Sequence, residues 1–321
     1  MDQSASVLAV KNRALHVSFY PELSASIIRL PQSNSAPFIF LIAQSLVHAK
    51  KSDSAETQYN LRVVECTLAA LYLAHSLQLH KFYHIEGIDT SPLGFSLLSL
   101  LMLFRPRRRR RPNGHKDLDE GELQRRRIQD LLPEVDDILY QSDGYTIGEV
   151  AEHLKISEEE LSKRYMTKFP IRAERFLLHQ RAMHVYREAL RVLDFVSILT
   201  SIARAGADAA DTLSELGTLM NKSQYSLNGL YDCSCPEIEQ MCKIAREHGS
   251  YGSRLTGAGW GGCTVHLVPE GRLAEIKGAL EKEYYRQRDP DITEQELDRA
   301  MIVTRPGNGA CLFDISKSDL I

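Results

Sequence analysis

The chain has 321 residues, 43% hydrophobic and 25% charged, which is enough apolar material to bury a core in one large or two ordinary domains. A formal net charge of −3 excludes a global pull toward nucleic acid or an anionic membrane, so any such partner has to meet a local patch. Cys66, Cys233, Cys235, Cys242, Cys263 and Cys311 lack C-x-x-C spacing and no secretory signal opens the chain, so free thiols, a cytoplasmic setting and no metal site are expected.

Residues 14–19 (ALHVSF) and 37–45 (PFIFLIAQS) are short, rich in β-branched and aromatic residues and bounded by Pro and Ser, so they predict strands, the second central in its sheet. From Asn60 to Leu77 the spacing of Leu61, Val64, Leu68, Leu71 and Tyr72 predicts a helix. Residues 92–104 (PLGFSLLSLLMLF) are apolar but far short of the roughly 20 residues of a membrane span. The following RPRRRRRP, Arg105–Pro112, predicts an exposed loop, because like charges repel and proline blocks helix. It reads either as a solvated insertion or, through Arg107–Arg111, as a nuclear-import or nucleic-acid patch; without interleaved aromatics no direct nucleic-acid partner is expected.

Beyond the loop, Thr146 with Glu149, Ser157 with Glu160 and Thr293 with Glu296 have capping-box spacing and predict helix starts. Helices are expected over 173–202, 211–230, 235–248 (ended by Gly249) and 273–287, with strands at 301–304 and 310–315. Interspersed strands and helices predict an α+β fold with antiparallel pairing.

The stretch YGSRLTGAGWGGCTVHLVP, Tyr251–Pro269, concentrates its glycines just before an alternating segment. Cys263, Val265 and Leu267 alternate with Thr264 and His266, which predicts a half-buried strand entered through a glycine loop. Glycine permits positive φ and close approach to the backbone, and successive N–H groups in such a loop form a nest for anionic oxygens. A bulged hairpin without a ligand has the same signature, so both readings stand. The pattern is neither a P-loop nor a Rossmann fingerprint.

LTGAGWGGCTVHLVP, with SCPEIEQM and GSYGSR, resembles the third motif of the GHMP small-molecule kinases in their galactokinase form. The likeness extends through NKSQYSLNGLYDCSCPE, HQRAMHVYREALRVL, ETQYNLRVVEC and ALHVSFYPELSA, most of the chain outside 81–143. It implies a GHMP-kinase C-terminal domain at 31–321, with an atypical basic insertion around 92–118, and a remnant of the N-terminal mixed-sheet domain at 1–30. It further implies ATP-dependent phosphorylation of D-galactose, with Mg2+.

Carried over residue by residue, the resemblance gives Asp2, in Met1–Ser6 (MDQSAS), the part of assisting deprotonation of the sugar's anomeric hydroxyl. A carboxylate is a weak base at neutral pH, but one held beside a hydroxyl accepts the proton as phosphoryl transfer proceeds. Tyr59 would border the sugar, favouring galactose over mevalonate or homoserine, with N-acetylgalactosamine a close relative. Gly257, Ala258, Gly259, Gly261 and Gly262 would shape the phosphate side of the cleft.

The family's sugar-recognition motif and its serine- and glycine-rich phosphate loop, which helps hold Mg2+, are absent from these 321 residues. Phosphoryl transfer depends on positioning and charge stabilisation, so their loss predicts a chain inactive by itself, with Met1 an internal methionine of a longer product. The alternative is a galactose- and ATP-binding co-inducer that grips a transcriptional repressor without turnover.

Overall fold

The computed structural model describes residues 2–19, 23–31, 36–48, 54–85, 87–105, 119–205 and 209–311. In chain order its elements are α1 (Asp2–Leu8), β1 (Arg13–Ser18), β2 (Ser24–Arg29), β3 (Phe38–Gln44), α2 (Tyr59–Ser76), α3 (Leu97–Leu103), α4 (Glu120–Ile138), α5 (Ile147–Leu154) and α6 (Glu158–Tyr165). Then come α7 (Leu178–Ala205), α8 (Ala209–Ser226), α9 (Pro236–Glu247), β4 (Gly252–Thr256), β5 (Cys263–Pro269), α10 (Leu273–Leu280), α11 (Glu294–Ala300) and β6 (Met301–Thr304). A 3-10 turn at Leu79–Lys81 follows α2, and π-helical turns at Leu227–Tyr231 and Glu281–Tyr285 extend α8 and α10. Strand pairing is antiparallel throughout, as the α+β expectation has it.

Local chemistry explains the helix starts. Thr146 and Thr293 form full capping boxes with Glu149 and Glu296, while Ser157 accepts the Glu160 N–H as a simple N-cap. The chain divides into two compact units: 1–47 with 194–224 and 235–321, and 48–193 with 225–234.

In the first unit β1 and β2 form a two-stranded sheet, and a second sheet has the order β4-β5-β3-β6, with β3 inside it as expected. On one face Ile39, Leu41, Ala43 and Val268 share a core with Met241 and Ile244 of α9, Ile276 and Leu280 of α10 and Leu297 of α11. On the other, Phe40, Val265 and Leu267 meet Leu213, Leu216 and Met220 of α8. The expectation of a half-buried β5 is therefore corrected: both faces are covered, and the polar positions Thr264 and His266 are fully buried.

Those polar groups satisfy one another. The Thr264 hydroxyl donates to the Ala43 carbonyl at 3.1 Å, so it accepts from His266 Nε2–H at 2.7 Å. His266 Nδ1 then accepts from Ser253 at 2.9 Å, and Ser253 accepts from Ser250 at 2.8 Å. Burial, and secondarily the Arg246 charge, push the His266 pKa down to about 3. The unfolded chain, with histidine near 6.5, takes up a proton that the folded state refuses as pH falls below that value. Stability from this residue is complete above pH ~6.5 and declines toward pH ~3, by about 2 kcal/mol on reaching pH ~5. Urea unfolding of wild type and His266→Asn at the two pH values checks this, the variant showing the shallower acid loss.

Helix α8 covers the outer edge of β4. Gly217 and Gly252 bring the two backbones together: a Cβ on Gly217 would stand 2.1 Å from the Tyr251 carbonyl oxygen. One turn on, Asn221 Oδ1 accepts the Ser253 N–H at 2.9 Å, and Gln224 Oε1 accepts the Leu255 N–H at 2.7 Å. The edge donors of β4 are thus paired by side-chain amides instead of a further strand.

The second unit packs around α2. Val64, Leu68, Leu71 and Leu73 meet Leu97, Leu100 and Leu101 of α3, Ile128 and Leu131 of α4 and Tyr186 of α7. The Tyr186 hydroxyl donates to the Leu97 carbonyl at 2.8 Å. Among the described residues no helix is long and apolar enough to cross a membrane.

Helix α7 begins at Leu178, not at 173, because Tyr145 and Phe176 exchange backbone hydrogen bonds of 2.9 and 2.8 Å and hold the preceding segment extended. Ala310 and Cys311 are not in a strand, and 312–315 lie outside the described residues, as does Arg107–Arg111.

Candidate functional site

The glycine loop joins β4 to β5, which pair Thr256 with Cys263 at its base. Gly257, Gly259, Gly261 and Gly262 have φ of +87°, +89°, +132° and +78°, and Trp260 shares the left-handed region at +54°. L side chains avoid that region, which is why glycine recurs here. A bulky residue such as Trp260 stays there only where its surroundings over-determine it, a condition that clusters at functional sites.

The far side of the loop is fixed by the chain leaving β3. Ser45 N–H donates to the Gly262 carbonyl at 2.7 Å, and Gly262 N–H to the Val47 carbonyl at 3.1 Å. Leu46 between them also has positive φ, +58°. Tyr284 and Tyr285, neighbours in a π-helical turn, donate to the Ser45 and Gln44 carbonyls at 2.5 and 2.7 Å and brace that segment. The amides of Gly257, Ala258, Gly259 and Gly261 have no hydrogen-bond partner among the described residues. Backbone donors held open in this way fit anionic oxygens such as those of a polyphosphate.

Two substitutions separate strain from contact. A Cβ on Gly257 meets nothing within 4 Å, whereas one on Gly261 meets the Val47 carbonyl oxygen at 2.5 Å. Gly257→Ala is expected to lower stability by about 1 kcal/mol through φ alone, and Gly261→Ala by about 3 kcal/mol through strain plus overpacking. Denaturant melts of the two variants check the order.

Of the other residues expected at the site, Asp2 is the first residue of α1 in the first unit, and its side chain lies outside the description. Tyr59 opens α2 in the second unit and is 40% exposed. The loop residues come together in one backbone turn; Ser45, Leu46 and Val47, which shape it, carry no sequence signal of that role.

One turn into α2 lies a buried charge cluster that the sequence did not reveal. Glu65 accepts from Arg62, from Arg181 Nε at 2.8 Å and from the Leu177 N–H at 2.8 Å. Arg181 also donates to the Leu230 carbonyl at 2.5 Å, and Arg62 to Asp232 at 3.1 Å, just past the π-helical turn.

None of the six cysteines forms a disulfide. Burial pushes the Cys66 and Cys242 thiols up to about 12, which removes them as nucleophiles. No cluster of three metal-ligating side chains occurs among the described residues.

Residues 207–287, which contain α9, β4, the glycine loop and β5, match the family described as GHMP kinases C terminal. A galactokinase of Saccharomyces cerevisiae is 42% identical over 320 residues, 98% of this chain and 59% of the relative. One from Schizosaccharomyces pombe is 35% identical over 321 residues, 99% of this chain and 60% of the relative. The chain thus spans about three fifths of these curated relatives. The crystal structure of Lactococcus lactis galactokinase complexed with galactose shares the fold, with a TM-score of 0.54 at 17% identity over 96% of this chain and 54% of that one. Residues 207–287 thus match the C-terminal domain of GHMP kinases, and the chain is similar to galactokinases over nearly its whole length.

Proposed function

We propose that the chain is the larger part of a galactokinase-type enzyme, which moves the terminal phosphoryl group of ATP to the anomeric hydroxyl of D-galactose. The observation that carries this reading is the 42% identity to a galactokinase over an alignment of 320 residues that takes in 98% of this chain. ATP supplies the phosphoryl group when bound, with Mg2+ as its counterion. The open amides of Gly257, Ala258, Gly259 and Gly261 hold phosphate oxygens, Gly262 ties the loop to Val47, Tyr59 borders the sugar, and Asp2 accepts the hydroxyl proton.

In this reading residues 1–30 belong to the N-terminal domain and 31–321 to the C-terminal one, and the protein works in the cytoplasm. The 321 residues alone bind without turnover, because they lack the family's phosphate-gripping loop.

Thermal melts with ATP and galactose, beside an ADP-release assay on the same chain, test it. ATP is expected to raise Tm in wild type and much less in Gly257→Ala, with no ADP released. An unchanged Tm at millimolar ATP would overturn the loop's assignment. Repressor capture that requires both ligands, without ADP release, would replace the enzyme by the co-inducer.

A further inference from the structure

Within the second unit, the end of α2, the Leu79–Lys81 turn and the end of α5 enclose an open pocket of ≈ 400 Å³. Three imidazoles meet there. His75 stacks on His80 with 4.2 Å between ring centroids and 9° between planes, and meets His153 at 5.2 Å and 69°. His153 lies flat on Tyr72 at 3.5 Å. Lys81 and Lys155 complete the basic lining.

Basic residues at helix ends often serve only to close the last carbonyls and offset the helix dipole. Here two of the last four carbonyls of each helix are already taken by backbone N–H groups. Leu77 N–H donates to the Leu73 carbonyl and Gln78 N–H to that of His75; Lys155 N–H donates to Glu152 and Ile156 N–H to Ala151. The Tyr72 carbonyl accepts from the Ser76 hydroxyl at 3.1 Å and from His153 Nε2 at 3.2 Å.

His153 is thereby committed through Nε2, and Lys81 donates to Gln78 at 3.2 Å. The ring nitrogens of His75 and the ammonium of Lys155 have no hydrogen bond among the described residues, and His80 Nδ1 is buried without a partner. Glu152 lines the pocket but forms no ion pair among the described residues. Burial, then the charges of His80, His153, Lys155 and Lys81, holds the His75 pKa below the ordinary histidine value. The two lysines, and the imidazoles once protonated, give the pocket a positive potential against the single carboxylate of its lining, Glu152.

We propose that this pocket is an oxyanion site that takes a phosphate group between His75, His80, Lys81 and Lys155. The anion would accept N–H bonds from the imidazoles and ammonium groups, and its charge would relieve their mutual repulsion. Binding is therefore coupled to proton uptake. The groups facing His75 set that coupling: Tyr72 from its own helix, His80 and Lys81 from the turn, Glu152 and His153 from α5, and Lys155 beyond it. Tyr72, pushed up to about 12 by burial first and by Tyr145, Tyr140 and Glu149 after it, stays neutral throughout.

Calorimetric titration of the full chain with magnesium-free pyrophosphate, at about pH 6 and about pH 8, tests the site, with NMR of the imidazole signals alongside. Affinity is expected to be roughly tenfold higher at the lower pH, and to fall roughly tenfold in Lys155→Asn. Asparagine keeps Lys155's left-handed φ of 61° at little strain, so that variant folds. At about pH 7 pyrophosphate should move the His75 signals toward their protonated positions. Gly257→Ala, in the other unit, should leave the His75 response and its pH dependence unchanged, whatever it does to the loop's own hold on phosphate. ADP that competes with pyrophosphate here identifies a nucleotide as the phosphate source; ADP that does not identifies a free one. Affinity that is equal in wild type and Lys155→Asn, or a His75 response that is lost in Gly257→Ala instead, overturns the proposal.

Discussion

Gly217→Ala is expected to destabilise the protein by about 3 kcal/mol, although alanine in a helix interior normally gains up to about 1 kcal/mol over glycine. The sign reverses because the added Cβ would lie 2.1 Å from the Tyr251 carbonyl oxygen and 2.7 Å from the Tyr251 Cβ. From the other side, a Cβ on Gly252 would lie 2.4 Å from the Gly217 carbonyl oxygen. Neither neighbour is a flexible side-chain end, so α8 and β4 must separate. That separation also stretches the Asn221 and Gln224 bonds to β4, leaving its edge N–H groups short of partners. Urea unfolding measures the loss; a variant more stable than wild type would mean that the two backbones do not touch.

The second large effect is at Glu65. Glu65→Ala removes the shared acceptor of Arg62, Arg181 and the Leu177 N–H while Arg181 remains almost fully buried. Removing one partner of a buried ion pair costs about 3–5 kcal/mol, chiefly because the other charge is left uncompensated. Replacing both partners by apolar residues of similar size is often close to neutral. Glu65→Leu with Arg181→Met should therefore recover most of what Glu65→Ala loses, Arg62 retaining Asp232 at 3.1 Å. If the double variant is as unstable as the single one, the cluster acts through shape and not through charge.

What the sequence revealed divides along the range of the interactions. The helix starts at Thr146 and Thr293 were legible because a capping box closes within four residues. Strand β3 was legible because its continuous apolar run admits few other places. The glycine loop could be found but not shaped, since Val47, which sets the approach at Gly261, lies far away in the chain.

The same holds for burial. Alternation in β5 was visible, yet which face is driest was not, because His266 becomes tolerable inside only once Ser253 and Thr264 flank it. In α2 the apolar stripe was readable, whereas nothing in the local sequence marks Arg62 and Glu65 as buried. Their partner Arg181 sits 116 positions beyond Glu65. The strands β2 and β4 escaped notice because they are short and serine- or glycine-bearing, and are defined by their pairing more than by their composition.

The amide clasp on β4 has a bearing on how the chain behaves in a crowd. An open strand edge is a template on which another molecule can add a strand, and sheets grow by that route into aggregates. With Asn221 and Gln224 seated on Ser253 and Leu255, β4 offers an incoming strand no free donor at those two positions. At the opposite edge β6 is four residues long and runs into Arg305 and Pro306, a charge and a residue without an N–H. Losing the α8 clasp would thus shorten the shelf life of concentrated solutions as well as lower stability, and light scattering would report the first loss where an unfolding curve reports only the second.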